Sequence, residues 1–126
     1  MGDLLVALVR SRTPSLRSAN LHLQRAHAVI DAHLGDSGLG PQDVALACAV
    51  SVGYLNRLFR ESGTTVAEHI REQRLQRCWR ALGEPTAAGI GAIAARCGLP
   101  DHAHFCRLFR ARFGMTPSER RAQRDG

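Results

Sequence analysis

Two stretches of this chain are written in one register, and that repetition leaves few folds open to it. The run from Val44 through Cys48, Ser51 and Leu55 to Arg60 can be laid over Ile93 to Arg110. Cys48 falls on Cys97, Leu55 on Phe105, Arg57 on Arg107, and Leu58-Phe59-Arg60 on Leu108-Phe109-Arg110, with one extra residue in the second turn. Each copy reads as a short apolar helix, a brief turn and a second helix with a basic outer face, the pattern of a helix-turn-helix. In the first copy Pro41 opens the helix with Gln42 and Asp43 in its first turn, Cys48 closes it, and Ser51 caps the next helix. There Leu55, Leu58 and Phe59 turn inward, while Val52, Gly53, Asn56, Arg57 and Arg60 turn out. In the second copy Ile90, Ile93, Ala94 and Cys97 form the first helix, Gly98 to Pro100 the turn, and Asp101 sits near the start of the second helix. Phe105, Leu108, Phe109 and Phe113 share one face of it; His102, Ala103, Cys106, Arg107 and Arg110 lie on or beside the opposite one.

The remainder of the chain holds these two units apart. Thr65 and Glu68 have the spacing of a capping box, and the helix that follows, to about Leu82, buries Ile70, Leu75, Cys78 and Leu82. Its length gives a rod of about 25 Å, the scale needed to set two reading heads near one turn of DNA apart, about 34 Å. Arg71, Arg74, Arg77 and Arg80 ring it and read mainly as a solvated, partly salt-bridged face. Trp79 is either a lid on the core or an exposed ring. Upstream, Ser18 or Asn20 caps a helix whose buried stripe is Leu21, Leu23, Ala26, Val29, Ile30 and Leu34, ending at Gly35 to Gly38. His22 and His27 on that helix miss the spacing that puts two ligands on one face, so they read as surface or rim residues rather than a metal site. Downstream, Gly114 stops the second unit, Thr116 to Glu119 forms another capping box, and a last helix carries Arg120, Arg121 and Arg124.

The boundaries follow: residues 1–17 are a tail or the remnant of a preceding domain, and residues 18–126 one all-α domain. Within it the first helix-turn-helix covers about 41–62, the linker helix 65–82 and the second helix-turn-helix about 89–113. Leu4, Leu5, Leu8 and Val9 in the tail suit about two turns of amphipathic helix, too short for a membrane anchor. At 126 residues there is room for one core and not for a sensor as well as an effector. The chain has 17 basic residues, all arginine, against 11 acidic, a formal charge of +6 that points to an anionic partner. Aromatic residues are only 5%, which leaves little to stack on single-stranded bases. Cys48, Cys78, Cys97 and Cys106 lack metal-ligand spacing and read as small apolar residues of a reducing cytoplasm. No motif asks for a cofactor or a metal, and no apolar run suits a membrane.

With both units and the rod in view, the chain resembles the DNA-binding domain of the AraC/XylS family of bacterial transcription regulators, from about Leu21 to Arg121. The most specific residues are Ile93-Ala94, Gly98, Asp101, Phe105, Arg107, Phe109, Phe113 to Pro117 and Arg120, with Ser51, Tyr54-Leu55, Arg57 to Phe59, Gly63 and Arg71 to Leu75 in the first half. The resemblance implies about seven helices in a homeodomain-like arrangement, with the third and sixth entering successive major-groove segments. The family's reading positions fall on Val52, Gly53, Asn56 and Arg57, and on His102, Ala103, Cys106 and Arg107. Departures are Gly53, which offers no side chain, Leu99 and Pro100 before the sixth helix, and Cys106 in place of a frequent Ser. The family also implies RNA polymerase contact and an amino-terminal sensor or dimerisation domain.

The function expected is sequence-specific binding of double-stranded DNA by a transcription activator. Arg57 and Arg107 suit guanine and Asn56 suits adenine, while Arg60 suits phosphate. One rival is a protein-interaction module that has kept the fold without specific DNA binding. The other is enzymatic, an activated Cys106 thiol one helical turn after His102, but no third group in the sequence orients that pair, and no enzyme is expected.

Overall fold

The computed structural model describes residues 16–125. They form seven helices and no strand: α1 (Leu16–His33), α2 (Pro41–Ala47), α3 (Val52–Arg60), α4 (Val66–Gly83), α5 (Ile90–Arg96), α6 (His102–Phe113) and α7 (Pro117–Asp125). The amphipathic stretch expected around Leu4 to Val9 lies outside the described residues.

The apolar positions sort into two cores. Ala26, Ile30 and Leu34 at and beyond α1, Val44, Ala45 and Cys48 at α2, and Leu55, Leu58 and Phe59 of α3 close around Val66 and Ile70. Leu75, Cys78 and Leu82 instead meet Ile93, Ala94, Cys97, Leu99, Phe105 and Phe109. The 18-residue helix α4, about 27 Å of rod, therefore gives its first turns to one core and the rest to the other. This is the two-unit, all-α architecture the repeated register calls for.

The repetition extends to individual hydrogen bonds. Beyond α2, Val50 N–H reaches back to Ala45 O at 3.0 Å and Ala49 N–H to Leu46 O at 3.1 Å. Beyond α5, Leu99 N–H reaches Ala94 O at 2.9 Å and Gly98 N–H reaches Ala95 O at 3.0 Å. Both are Schellman motifs, which need a left-handed residue just after the helix. Gly98 takes that conformation at φ 86°, and in the first unit it is Ala49, at φ 56°. The cap that follows is also repeated. Ser51 Oγ accepts from Tyr54 N–H at 3.1 Å and Asp101 Oδ1 from His104 N–H at 3.1 Å, so Asp101 starts α6 and the extra Pro100 is absorbed in the turn.

The capping boxes expected at Thr65 and Thr116 form, with Glu68 and Glu119 as their partners. Trp79 is the lid of the second core, its ring 4.6 Å from Phe113 and 6.0 Å from Phe109. Arg120 closes over it, the guanidinium 4.0 Å from the ring centroid and Nε donating to Trp79 O at 3.2 Å. Within the same core Cys78 and Cys97 act as small buried residues; hydrogen bonding with Cys97, then burial, pushes the Cys78 thiol up.

Three expectations are corrected. Ser18 and Asn20 do not precede α1 but lie inside it, because the helix already includes Leu16. Leu21 is 46% exposed, so it is not part of the stripe of α1 that packs on the core, which runs through Ala19, Leu23, Ala26, Val29 and Ile30. Arg74 is not on a solvated face but is the buried charge of the core region, 9% exposed. Its Nε donates to Leu34 O at 3.1 Å and Nη2 to Asp36 O at 2.7 Å, carbonyls left without helical partners past the end of α1.

Candidate nucleic-acid interface

The matched caps fix matched faces. Counting from Ser51 and Asp101, Val52 corresponds to His102, Gly53 to Ala103, Asn56 to Cys106, Arg57 to Arg107 and Arg60 to Arg110. Gly53, Arg57, Arg60, His102, Ala103, Arg107 and Arg110 are exposed, so the expected outer faces are outer faces. Val52 and Cys106 are half-buried and lean on the first and second core respectively.

Several arginines elsewhere are tied into the fold. Arg77 donates to Asp31 O at 3.2 Å, Arg112 pairs with Glu72 at 2.8 Å, and Arg121 donates to Thr86 O at 2.9 Å. Among the described residues Arg57, Arg60, Arg107 and Arg110 have neither an ion pair nor a hydrogen bond from the guanidinium. Arg57 has only the Tyr54 ring, 5.9 Å away. Forked donors held free on the first turns of a helix can take the paired acceptors of guanine, and those one turn further on can take phosphate oxygens.

Asn56 makes a contact within the fold. It is half-buried, and Oδ1 accepts from Val66 N–H at 3.0 Å, satisfying an otherwise partnerless donor at the start of α4. Pairing with adenine needs that acceptor as well as the amide donors. On the outer face of α3 the exposed Arg57 stands beside Gly53, where an added Cβ would meet nothing within 4 Å. In α6 His102 and Cys106 do meet, Nε2 to Sγ at 3.6 Å, a contact that holds two neighbouring outer positions together.

Several supports had no local sequence signal. His22 Nδ1 lies 3.0 Å from the Tyr54 hydroxyl and fixes α3 against α1. His27 Nδ1 and His69 Nε2 approach to 3.1 Å with Phe59 behind them. Burial, then the His27 charge, holds His69 below its ordinary value, against the opposing influence of Asp31 and Glu72. The α6 helix is tied to α4 by Arg112 and Glu72, across an open cleft of about 510 Å³ that Leu75, Leu108 and Ala111 also line. Partners 42 or 40 residues apart come together only through the tertiary packing of α4.

A family profile described as a helix-turn-helix domain matches residues 44–123, which takes in both units. Among solved structures the chain is similar to an AraC-type regulator from Chromobacterium violaceum, at 32% identity and a TM-score of 0.77, covering 86% of this chain and 96% of that one. The chain belongs to the AraC/XylS family of helix-turn-helix DNA-binding domains. The carboxy-terminal domain of the response regulator AraT from Geobacillus stearothermophilus aligns at 27% identity and a TM-score of 0.76, covering 82% and 85%. Among curated proteins it is 30% identical to the transcriptional activator NphR of a Rhodococcus species over 91% of this chain. It is 31% identical to the activator RhaS of Escherichia coli over 98% of this chain. It spans 35% of the length of NphR and 44% of RhaS. Among the described residues no helix is long and apolar enough to cross a membrane.

Proposed function

We propose that this chain binds double-stranded DNA sequence-specifically as the reading domain of a transcription activator, with α3 and α6 entering two successive major-groove segments. The observation that carries this is the repeated cap and turn that present Arg57 and Arg107 at equal positions, both exposed and neither paired within the described residues. Arg57 and Arg107 read base edges, with His102 and Ala103 completing the second head; Arg60 and Arg110 hold phosphates. Val52 and Cys106 back these faces from their half-buried positions, and Gly53 lets the backbone of α3 approach the groove. Asn56 serves the fold through Val66 rather than a base.

The activator names of NphR and RhaS support the regulatory role. Because the chain spans under half of either relative, the full-length protein is proposed to carry a sensor or dimerisation domain before this one, to act in the cytoplasm and to contact RNA polymerase. Selection of sites from a random duplex library tests the reading. Two short enriched blocks about one helical turn apart are expected; salt-sensitive binding to every duplex with no enrichment would remove it. With about six phosphates engaged, log K should fall against log salt with a slope of about −5.

A further inference from the structure

The two units touch where neither helix-turn-helix motif requires it. Gly35, just past α1, comes so close to the second unit that a Cβ on it would lie 2.8 Å from the Arg96 carbonyl oxygen. Gly98, in the turn before α6, comes equally close to the first: a Cβ there would overlap the Leu34 carbonyl oxygen and lie 2.6 Å from Arg74 Nε. Arg74 lies between them, donating to Leu34 O and Asp36 O from the middle of α4. Burial opposes its charge, and the Asp36 carboxylate favours it in part. Two backbones thus meet without intervening side chains, and one buried guanidinium holds the joint. From Gly98 only Leu99, Pro100 and Asp101 intervene before α6 begins.

We propose that Arg74 is a positioning residue that sets the distance and rotation between the two reading heads, and so selects the spacing of the two blocks in the DNA site. This rests on the two-headed reading above. Inserting one base pair between two blocks moves the second by about 3.4 Å and turns it by about 34° around the duplex. A flexible connection would follow that movement, whereas a joint made of backbone contacts and charged hydrogen bonds resists it. Lysine at this position would keep the charge but not the fork that takes two carbonyls from different directions.

The test uses duplexes carrying the two blocks selected by the parent protein, with the spacer varied by one base pair in either direction. The parent should prefer one spacer by about tenfold or more, a difference of about 1.4 kcal/mol. Arg74→Met, which keeps the volume and loses the fork, should flatten that preference to below about threefold, less than 1 kcal/mol, while each block keeps its base preferences. Gly35→Ala is the second variant. It keeps the Arg74 side chain and every core side chain and wedges the joint at the Arg96 carbonyl, beside the two carbonyls that Arg74 holds, so it should shift or flatten the preferred spacer even where Arg74→Met does not fold. Folded variants, by circular dichroism, that retain the parent's spacer preference would overturn the proposal; if Arg74→Met does not fold, retention by Gly35→Ala alone does so. A parent protein that binds the blocks but tolerates every spacer equally would also overturn it. Failure of the parent to select any block would instead defeat the DNA reading itself.

Discussion

Exchanging the residues at one repeated position should move stability in opposite directions. Ala49 and Gly98 follow Cys48 and Cys97 in equivalent Schellman turns, at φ 56° and φ 86°. An L-residue in the left-handed region costs about 1–2 kcal/mol, and glycine returns about 0.4–1 kcal/mol of that through the greater freedom of the unfolded chain. Ala49→Gly should therefore stabilise the domain by roughly 0.5–1 kcal/mol, raising Tm by about 2–5 °C. Gly98→Ala meets the same backbone cost and adds a Cβ against the Leu34 carbonyl oxygen and Arg74, where the charged hydrogen bonds at 3.1 Å and 2.7 Å must give way. Each such bond is worth about 1.5–3 kcal/mol, so Gly98→Ala should lose roughly 3 kcal/mol or more. Urea unfolding followed by far-ultraviolet circular dichroism measures both. Equal effects of the two substitutions, or destabilisation by Ala49→Gly, would refute the reasoning from the repeated turn.

Three further outcomes are expected. Arg57→Ala and Arg107→Ala should each weaken DNA binding by roughly 1–3 kcal/mol and relax one base position, measured by binding to duplexes mutated one position at a time; an unchanged affinity would remove that arginine from the reading face. Asn56→Ala should lower stability by about 1 kcal/mol through the lost bond to Val66 N–H while base preference stays the same, with Asn56→Asp restoring stability; a relaxed base position with unchanged stability would reverse the assignment. His69 is held below its ordinary value of 6.5, so the folded protein binds fewer protons there than the unfolded chain. The stability this contributes is complete above pH 6.5 and declines as pH falls below it. His69→Gln should flatten that part of the denaturation profile between pH 7 and 5, and an unaltered slope would contradict it.

Most of the architecture was legible because it depends on local chemistry repeated in the chain. Thr65 with Glu68 and Thr116 with Glu119 start helices, Gly98 turns one unit, and the apolar spacing of Leu55 to Phe59 and Phe105 to Phe109 separates inside from outside. The missed parts belong to long-range packing. Arg74 lies on one helix with Arg71 and Arg80, and the arrival of the α1 carbonyls distinguishes it. The contact of Asn56 Oδ1 with Val66 N–H, ten residues on, likewise had no local signal. Leu21 and Leu46 carry the apolar pattern yet remain exposed, because amphipathic spacing gives a face and not its partner.

The central claim is that two equivalent helices read two separate blocks of one site. Hydroxyl-radical footprinting on a selected duplex, with the parent protein, Arg57→Ala and Arg107→Ala, tests it most directly. The account predicts two protected stretches about one helical turn apart on one side of the duplex, with each variant losing protection mainly over a different stretch. A single protected stretch, or both variants losing the same one, would contradict it.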